Sequence, residues 1–274
     1  MLKKMFVFVI LLVIMFSLPS ITDEELIEDV VPDSVSVKAK VFIDSGHGVN
    51  YEQGVYPLYP SQEVYSYLKE AGMLVYDKDK IAYNFQQGEF GEMSINWSVS
   101  TKLFELLQRD DRFEVQRDRN NENDEALSNV DRAIVANEWC ADIRICIHAE
   151  RASFRGYFLA MPHEDFYLPV ELGGYYTKEI RDKSEAFAEI LLDQLDQSEL
   201  PYGRSFDNGY HRNKHGFIMY RFSKHPVVVL EMDGNTEWSD SIELDSVQNT
   251  IAQSIYNALD LYYKSYFRRS ALYE

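Results

Sequence analysis

Lys40-Val41-Phe42-Ile43-Asp44-Ser45-Gly46-His47-Gly48 decides how the rest of the chain is read. Its first half is apolar and largely β-branched or aromatic, as in a buried strand, and Gly46 and Gly48 let the backbone turn sharply at the carboxyl end. In an open α/β sheet, ligands bind beyond the carboxyl ends of the strands. A second apolar run, Ile143-Arg144-Ile145-Cys146-Ile147, ends in His148. A third, Pro226-Val227-Val228-Val229-Leu230, ends in Glu231. Three strands that deliver His, His and Glu to one sheet edge point to a metal-assisted hydrolase.

Working outward, periodicity supplies the other elements. Apolar positions Ile95, Val99, Leu103, Phe104, Leu106 and Leu107 predict a core-facing helix over 94–107. A short strand is expected at 113–116, a helix at 126–139, a strand at 154–160, a helix near 177–197 and a last helix near 243–264. Strands separated by helices predict an α/β fold, a three-layer α/β/α domain with a mixed, mostly parallel central sheet. The expected catalytic domain spans 39–266, with a tail at 267–274. Within it, 49–90 is a long, irregular, tyrosine-rich insertion (Tyr51, Tyr56, Tyr59, Tyr65, Tyr67, Tyr76, Tyr83) that allows a helix near 61–71.

The flanks and the charge bound the setting. Lys3 and Lys4 precede an unbroken apolar run from Met5 to Leu18, too short for the roughly 20 residues of a membrane span. A basic start, a short apolar core and small residues after it predict a secretory signal peptide at 1–22. An acidic, proline-containing linker follows at 23–38. The expected location is therefore outside the cytoplasm, in the periplasm or cell envelope, with no stable membrane insertion once the signal is removed. The net charge of −18 becomes about −20 without Lys3 and Lys4, which argues against nucleic acid or an anionic membrane as partner. Only Cys140 and Cys146 are present, so no disulfide framework holds the fold, and both read as small buried apolar residues. Roughly 250 mature residues are enough for one domain with its own core.

A catalytic zinc takes three protein ligands and keeps a fourth position for water. His47 and His148 supply two. The third is expected from Gly88-Glu89-Phe90-Gly91-Glu92-Met93 at the start of the helix after the first strand, with Glu92 as the choice and Glu89 as its competitor one turn earlier. Zinc-bound water turns acidic near neutral pH, and a carboxylate outside the ligand set can carry its proton to a leaving amine. Glu231 is the candidate for that role. His163, His211, His215 and His225 fall in loop-like or polar surroundings and read as surface residues, with His211 or His215 placed to line a substrate groove.

Over 39–264 the chain resembles the zinc-dependent N-acetylmuramoyl-L-alanine amidases of bacterial peptidoglycan. Val41–Gly48 is similar to that family's strand ending in Asp-x-Gly-His-Gly. Glu92-Met93-Ser94-Ile95-Asn96 is similar to its ligand glutamate with an asparagine four residues later. Leu127, Arg132, Ala136-Asn137, Ala141-Asp142 and Ile147-His148-Ala149 follow its most specific run, and Val229-Leu230-Glu231 its catalytic strand. The resemblance implies one zinc per chain held by His47, Glu92 and His148, with Glu231 as catalytic carboxylate. It implies peptidoglycan as partner and hydrolysis of the amide between the lactyl group of N-acetylmuramic acid and L-alanine, with any activator protein unknown. Asp44 is expected to support the metal site from behind.

The chain departs from the family pattern at three places around these residues. Met232-Asp233-Gly234-Asn235 follows the glutamate in place of Gly-Phe, Cys146 replaces a serine, and Glu150 replaces an asparagine. Two other functions fit the same residues: an exported zinc hydrolase acting on another amide or peptide, and a catalytically silent protein that binds peptidoglycan or regulates a true amidase.

Overall fold

The computed structural model describes residues 38–47, 90–122, 124, 127, 129–150, 156–163, 175–213, 218–233, 242 and 244–267. The expected signal peptide, nearly all of the linker and the insertion, Glu89 and His215 lie outside these residues. In chain order the elements are β1 (Ala39–Ser45), α1 (Phe90–Gln108), β2 (Phe113–Arg117), α2 (Asn129–Glu138), β3 (Ile143–Glu150) and β4 (Tyr157–Pro162). They continue with α3 (Lys178–Asp196), β5 (Tyr210–Asn213), α4 (Ile218–Arg221), β6 (Val227–Asp233) and α5 (Asp245–Tyr262), which runs into a π-helical turn at Tyr263–Phe267.

The strands form one six-stranded sheet in the order β2-β1-β3-β6-β4-β5. The first four are mutually parallel; β4 runs antiparallel to β6, and β5 follows β4 in parallel. The sheet is therefore mixed and mostly parallel, as the sequence predicts. Side chains alternate between its faces. Val41, Ile43, Ile145, Ile147, Val228 and Leu230 join Val99, Leu103 and Leu107 of α1 in the main core. Helices α3 and α5 complete this layer, with α5 packed against both α1 and α3. Thr177 starts α3 by accepting a hydrogen bond from the Ile180 amide at 3.3 Å, the usual capping of an exposed helix N–H.

On the opposite face Phe42 packs with Ala136 and Ala141 under α2, which contacts α4. Helices thus cover both faces of the sheet. The β3–β6 ladder runs further than the apolar runs suggest, through Glu150↔Asp233. His148 and Glu231 accordingly lie inside their strands rather than just after them, because the backbone pairing continues past the last apolar residue. Strand β5 and the short α4 were not anticipated. His225, expected at the surface, is buried. Cys146 is buried as expected, but Cys140 is exposed. It occupies the left-handed position that closes α2 (φ 57°), where a side chain points outward.

Candidate metal centre

The strand order puts the carboxyl ends of β1, β3 and β6 side by side. In register, His148 of β3 faces Glu231 of β6, and the Gly46 amide just after β1 donates to the Ile147 carbonyl at 2.8 Å. The row across the sheet edge is therefore Gly46, His148, Glu231. Gly46 is required by space, not by an unusual backbone angle. A Cβ there would lie 2.6 Å from His148 Nδ1 and 2.7 Å from the Ile147 carbonyl oxygen. The sharp turn belongs to His47 itself, with φ 64°.

A left-handed backbone is unfavourable for a side-chain-bearing residue, by roughly 1–2 kcal/mol. The protein holds it in place by its carbonyl. Arg132 Nη2 donates to the His47 carbonyl at 2.6 Å and Arg119 Nη1 donates at 2.9 Å. Asn96 Nδ2, from α1, donates to the Gly46 carbonyl at 3.2 Å. Arg132 also donates to the carbonyls of Leu127 at 2.9 Å and Ser45 at 3.1 Å.

Beneath this lies Asp44, fully buried and paired with both Arg132 and Arg144. Burial alone would push its carboxyl up, but the two guanidiniums outweigh burial and hold it well below the ordinary carboxylate range. The Cys146 thiol, itself pushed up by burial, donates to Asp44 Oδ2 at 3.2 Å. Asp44 thus supports the site through Arg132, which grips the His47 backbone.

Above the strand ends, Glu92 in the first turn of α1 reaches His47, with Oε1 2.6 Å from Nε2. The His47 and His148 rings meet edge to face, 5.1 Å between centroids. One donor atom each from His47, Glu92 and His148 lies within 4.8 Å of the others. Burial, aided by neighbouring His47, pushes the His148 imidazole down to about 3, so it is neutral and keeps a lone pair to offer. Its Nε2 is buried and has no hydrogen-bond partner among the described residues. A polar atom left so would be costly without a ligand. Two imidazoles and a carboxylate are also the donor types a catalytic zinc prefers. The residues fit the metal.

The family model described as N-acetylmuramoyl-L-alanine amidase matches residues 41–260. The chain belongs to that family. Solved amidases share the fold. Ami1 of Mycobacterium smegmatis is 18% identical, with a TM-score of 0.63 over 84% of this chain and 98% of that one. An amidase of Clostridium difficile 630 is 20% identical, with a TM-score of 0.55 over 84% and 98%. The CwlD amidase of Clostridioides difficile, solved in complex with the GerS lipoprotein, is 16% identical, with a TM-score of 0.54 over 83% and 100%. No curated protein matches the chain.

In this amidase the sequence-derived His47, Glu92 and His148 come together, and Glu231 adjoins them on β6. Sequence reasoning missed Arg119, which lies in the polar run Arg117-Asp118-Arg119-Asn120-Asn121 with no pattern to distinguish it from a solvated loop. It is nonetheless buried against the site. Also missed was the aromatic group of Phe158, Phe206 and His211 beyond Glu231.

Proposed function

We propose that this amidase is exported and hydrolyses the amide between the lactyl group of N-acetylmuramic acid and L-alanine in peptidoglycan, with one zinc held by His47, Glu92 and His148. The observation that carries the reading is the pairing of Glu231 with His148 beside the three-residue cluster. A proton-accepting carboxylate stands one strand from a metal-competent imidazole, about 4.8 Å away in the ladder direction.

Zinc bound there supplies Lewis acidity, polarising a carbonyl and lowering the pKa of water to near neutrality. The chain's own residues do the rest. Glu231 accepts the proton of the attacking water and returns it to the departing alanine nitrogen. Arg119, Arg132 and Asn96 fix the turn that presents His47. Glu92, rooted in α1, sets how closely the carboxylate approaches that imidazole.

Purified protein incubated with sacculi and zinc should release stem peptides with a free N-terminal alanine, and a chelator should stop the release. Glu231→Gln should bind zinc as the parent does while turnover falls by at least about 100-fold, the range of a lost general acid–base group. Retained turnover would remove Glu231 from the mechanism. Zinc bound without this product would point to a different amide.

A further inference from the structure

The row of paired residues does not stop at Glu231. On its far side, β4 places Phe158 directly opposite it, so both side chains emerge on the same face. His211 of β5 pairs with Ala160, two residues on, and therefore shares that face as well. The Phe206 ring stands edge-on to Phe158 at 5.1 Å and stacks on His211 at 5.4 Å, 18° from parallel. Phe206 is 37% exposed, and its neighbours Asp207, Asn208 and His211 are exposed too.

Phe206 is also held with φ 63°, a conformation rare for a bulky side chain. Such strain persists only where the surroundings over-determine it. Here they do. The Ser205 amide donates to the Tyr157 carbonyl at 2.8 Å, Gly209 closes back onto the Phe206 carbonyl at 3.1 Å, and the Leu159 amide donates to Gly209 at 2.9 Å. Arg204 pairs with Asp196, which also accepts from the Tyr157 hydroxyl at 2.5 Å. The loop is braced at both ends to present one aromatic ring at its tip.

We propose that Phe206 and His211 form a stacking subsite for a pyranose ring of the glycan strand, beyond Glu231 on the β4–β5 side of the sheet. The proposal rests on the amidase reading above and names which half of the substrate lies on this side. A sugar offers an apolar face of C–H groups to an aromatic ring and hydroxyls to flanking polar groups. Asp207 and Asn208, the next two residues in the chain and both exposed, supply polar groups for those hydroxyls. A stem peptide carries carboxylates, which the Asp207 carboxylate and the strongly acidic chain repel. The glycan is the better match.

The test compares two substrates in the zinc-loaded enzyme. One carries a tetrasaccharide on the lactyl-peptide, and the other is the same D-lactyl-peptide without sugar. In Phe206→Ala, KM for the glycan substrate should rise about tenfold, the scale of one lost aromatic contact, with kcat within about twofold. The sugar-free substrate should be hydrolysed as by the parent, and Phe206→Trp should restore the low KM. Phe206→Gly, which suits the left-handed backbone, should show the same KM defect with an undiminished Tm, separating the effect from misfolding. Equal losses on both substrates, or no loss on either, would overturn the subsite. Binding of a peptide-free glycan of alternating N-acetylglucosamine and N-acetylmuramic acid, followed by NMR, reads the subsite without turnover. If the parent binds that glycan through Phe206 yet cleaves neither substrate, the amidase reading fails and the subsite stands. If Phe206→Ala binds it as the parent does, the subsite fails and the amidase reading is untouched.

Discussion

At Gly46 the sequence and the site meet in one missing methyl group. The residue does not need a glycine's backbone freedom; it needs the space a hydrogen leaves. A Cβ would press on the His148 ring at 2.6 Å and on the Ile147 carbonyl at 2.7 Å, and the second of these is backbone that cannot swing away. Gly46→Ala should therefore either tilt the His148 imidazole or part β1 from β3. The expected cost is about 1–3 kcal/mol of stability, the range for overpacking. Zinc affinity should fall by roughly 10–100-fold, as when an orienting contact behind a ligand is lost. A competition titration with a chromogenic chelator and a thermal melt would measure both, and unchanged affinity would show that the ring is not positioned by this contact. The same reasoning explains Asp44. The sequence marks it as part of a motif, but only the fold reveals that it acts through Arg132 and Arg144, brought to it from 88 and 100 residues away. Such separations carry no local signal.

Helix α2 is the element whose ending departs most from what residue preferences suggest. The Ala141 amide donates to the Ala136 carbonyl at 3.0 Å, and the Cys140 amide donates to the Asn137 carbonyl at 3.0 Å. This double closure places its left-handed residue at Cys140, φ 57°, where glycine is usual. The cap sets the following strand, since the Asp142 amide then donates to the Lys40 carbonyl at 2.8 Å and leads into β3 beside β1. Cys140→Gly should relieve roughly 1–2 kcal/mol of backbone strain, partly offset by about 0.5–1 kcal/mol of added unfolded-state entropy. A net gain near 0.5–1 kcal/mol, about 1–4 °C in Tm for a chain of this size, is expected in a thermal melt. A lower Tm would mean that the exposed thiol makes a contact worth more than the strain. Elements with strong periodicity were legible in this way: Lys178–Asp196 and Asp245–Tyr262 fall within a few residues of the expected helices. Strand β5, Tyr-His-Arg-Asn, was not, because a short edge strand needs no apolar alternation to pair with β4. With β5 unseen, the aromatic group beyond Glu231 was equally out of reach, although the sequence offers His211 or His215 for a groove.

For the molecule as a whole, response to acid depends on groups that the fold keeps neutral or charged against their preference. His225 is buried, Arg144 lies nearby, and burial pushes its imidazole down to about 3. In the unfolded chain it titrates near 6.5. Between these values the unfolded state binds more protons, so stability falls as pH drops from about 6.5 toward 3, by up to roughly 1.4 kcal/mol per unit. His148 contributes in the same sense when no metal holds it. Asp118 and Asp142, raised by burial, act oppositely, since folding favours their protonated forms. The net slope therefore mixes several groups, but a difference isolates one of them. With zinc chelated, urea unfolding of the parent and of His225→Phe should diverge between pH 6.5 and 4.5, the parent losing about 2–3 kcal/mol more. A different starting stability of the variant at pH 7 leaves that comparison intact, because only the change with pH is read. Parallel curves would mean that His225 accepts a proton while folded. The charge balance around Arg144 and Asp44, which sets the base of the catalytic edge, would then need a further acceptor beside it.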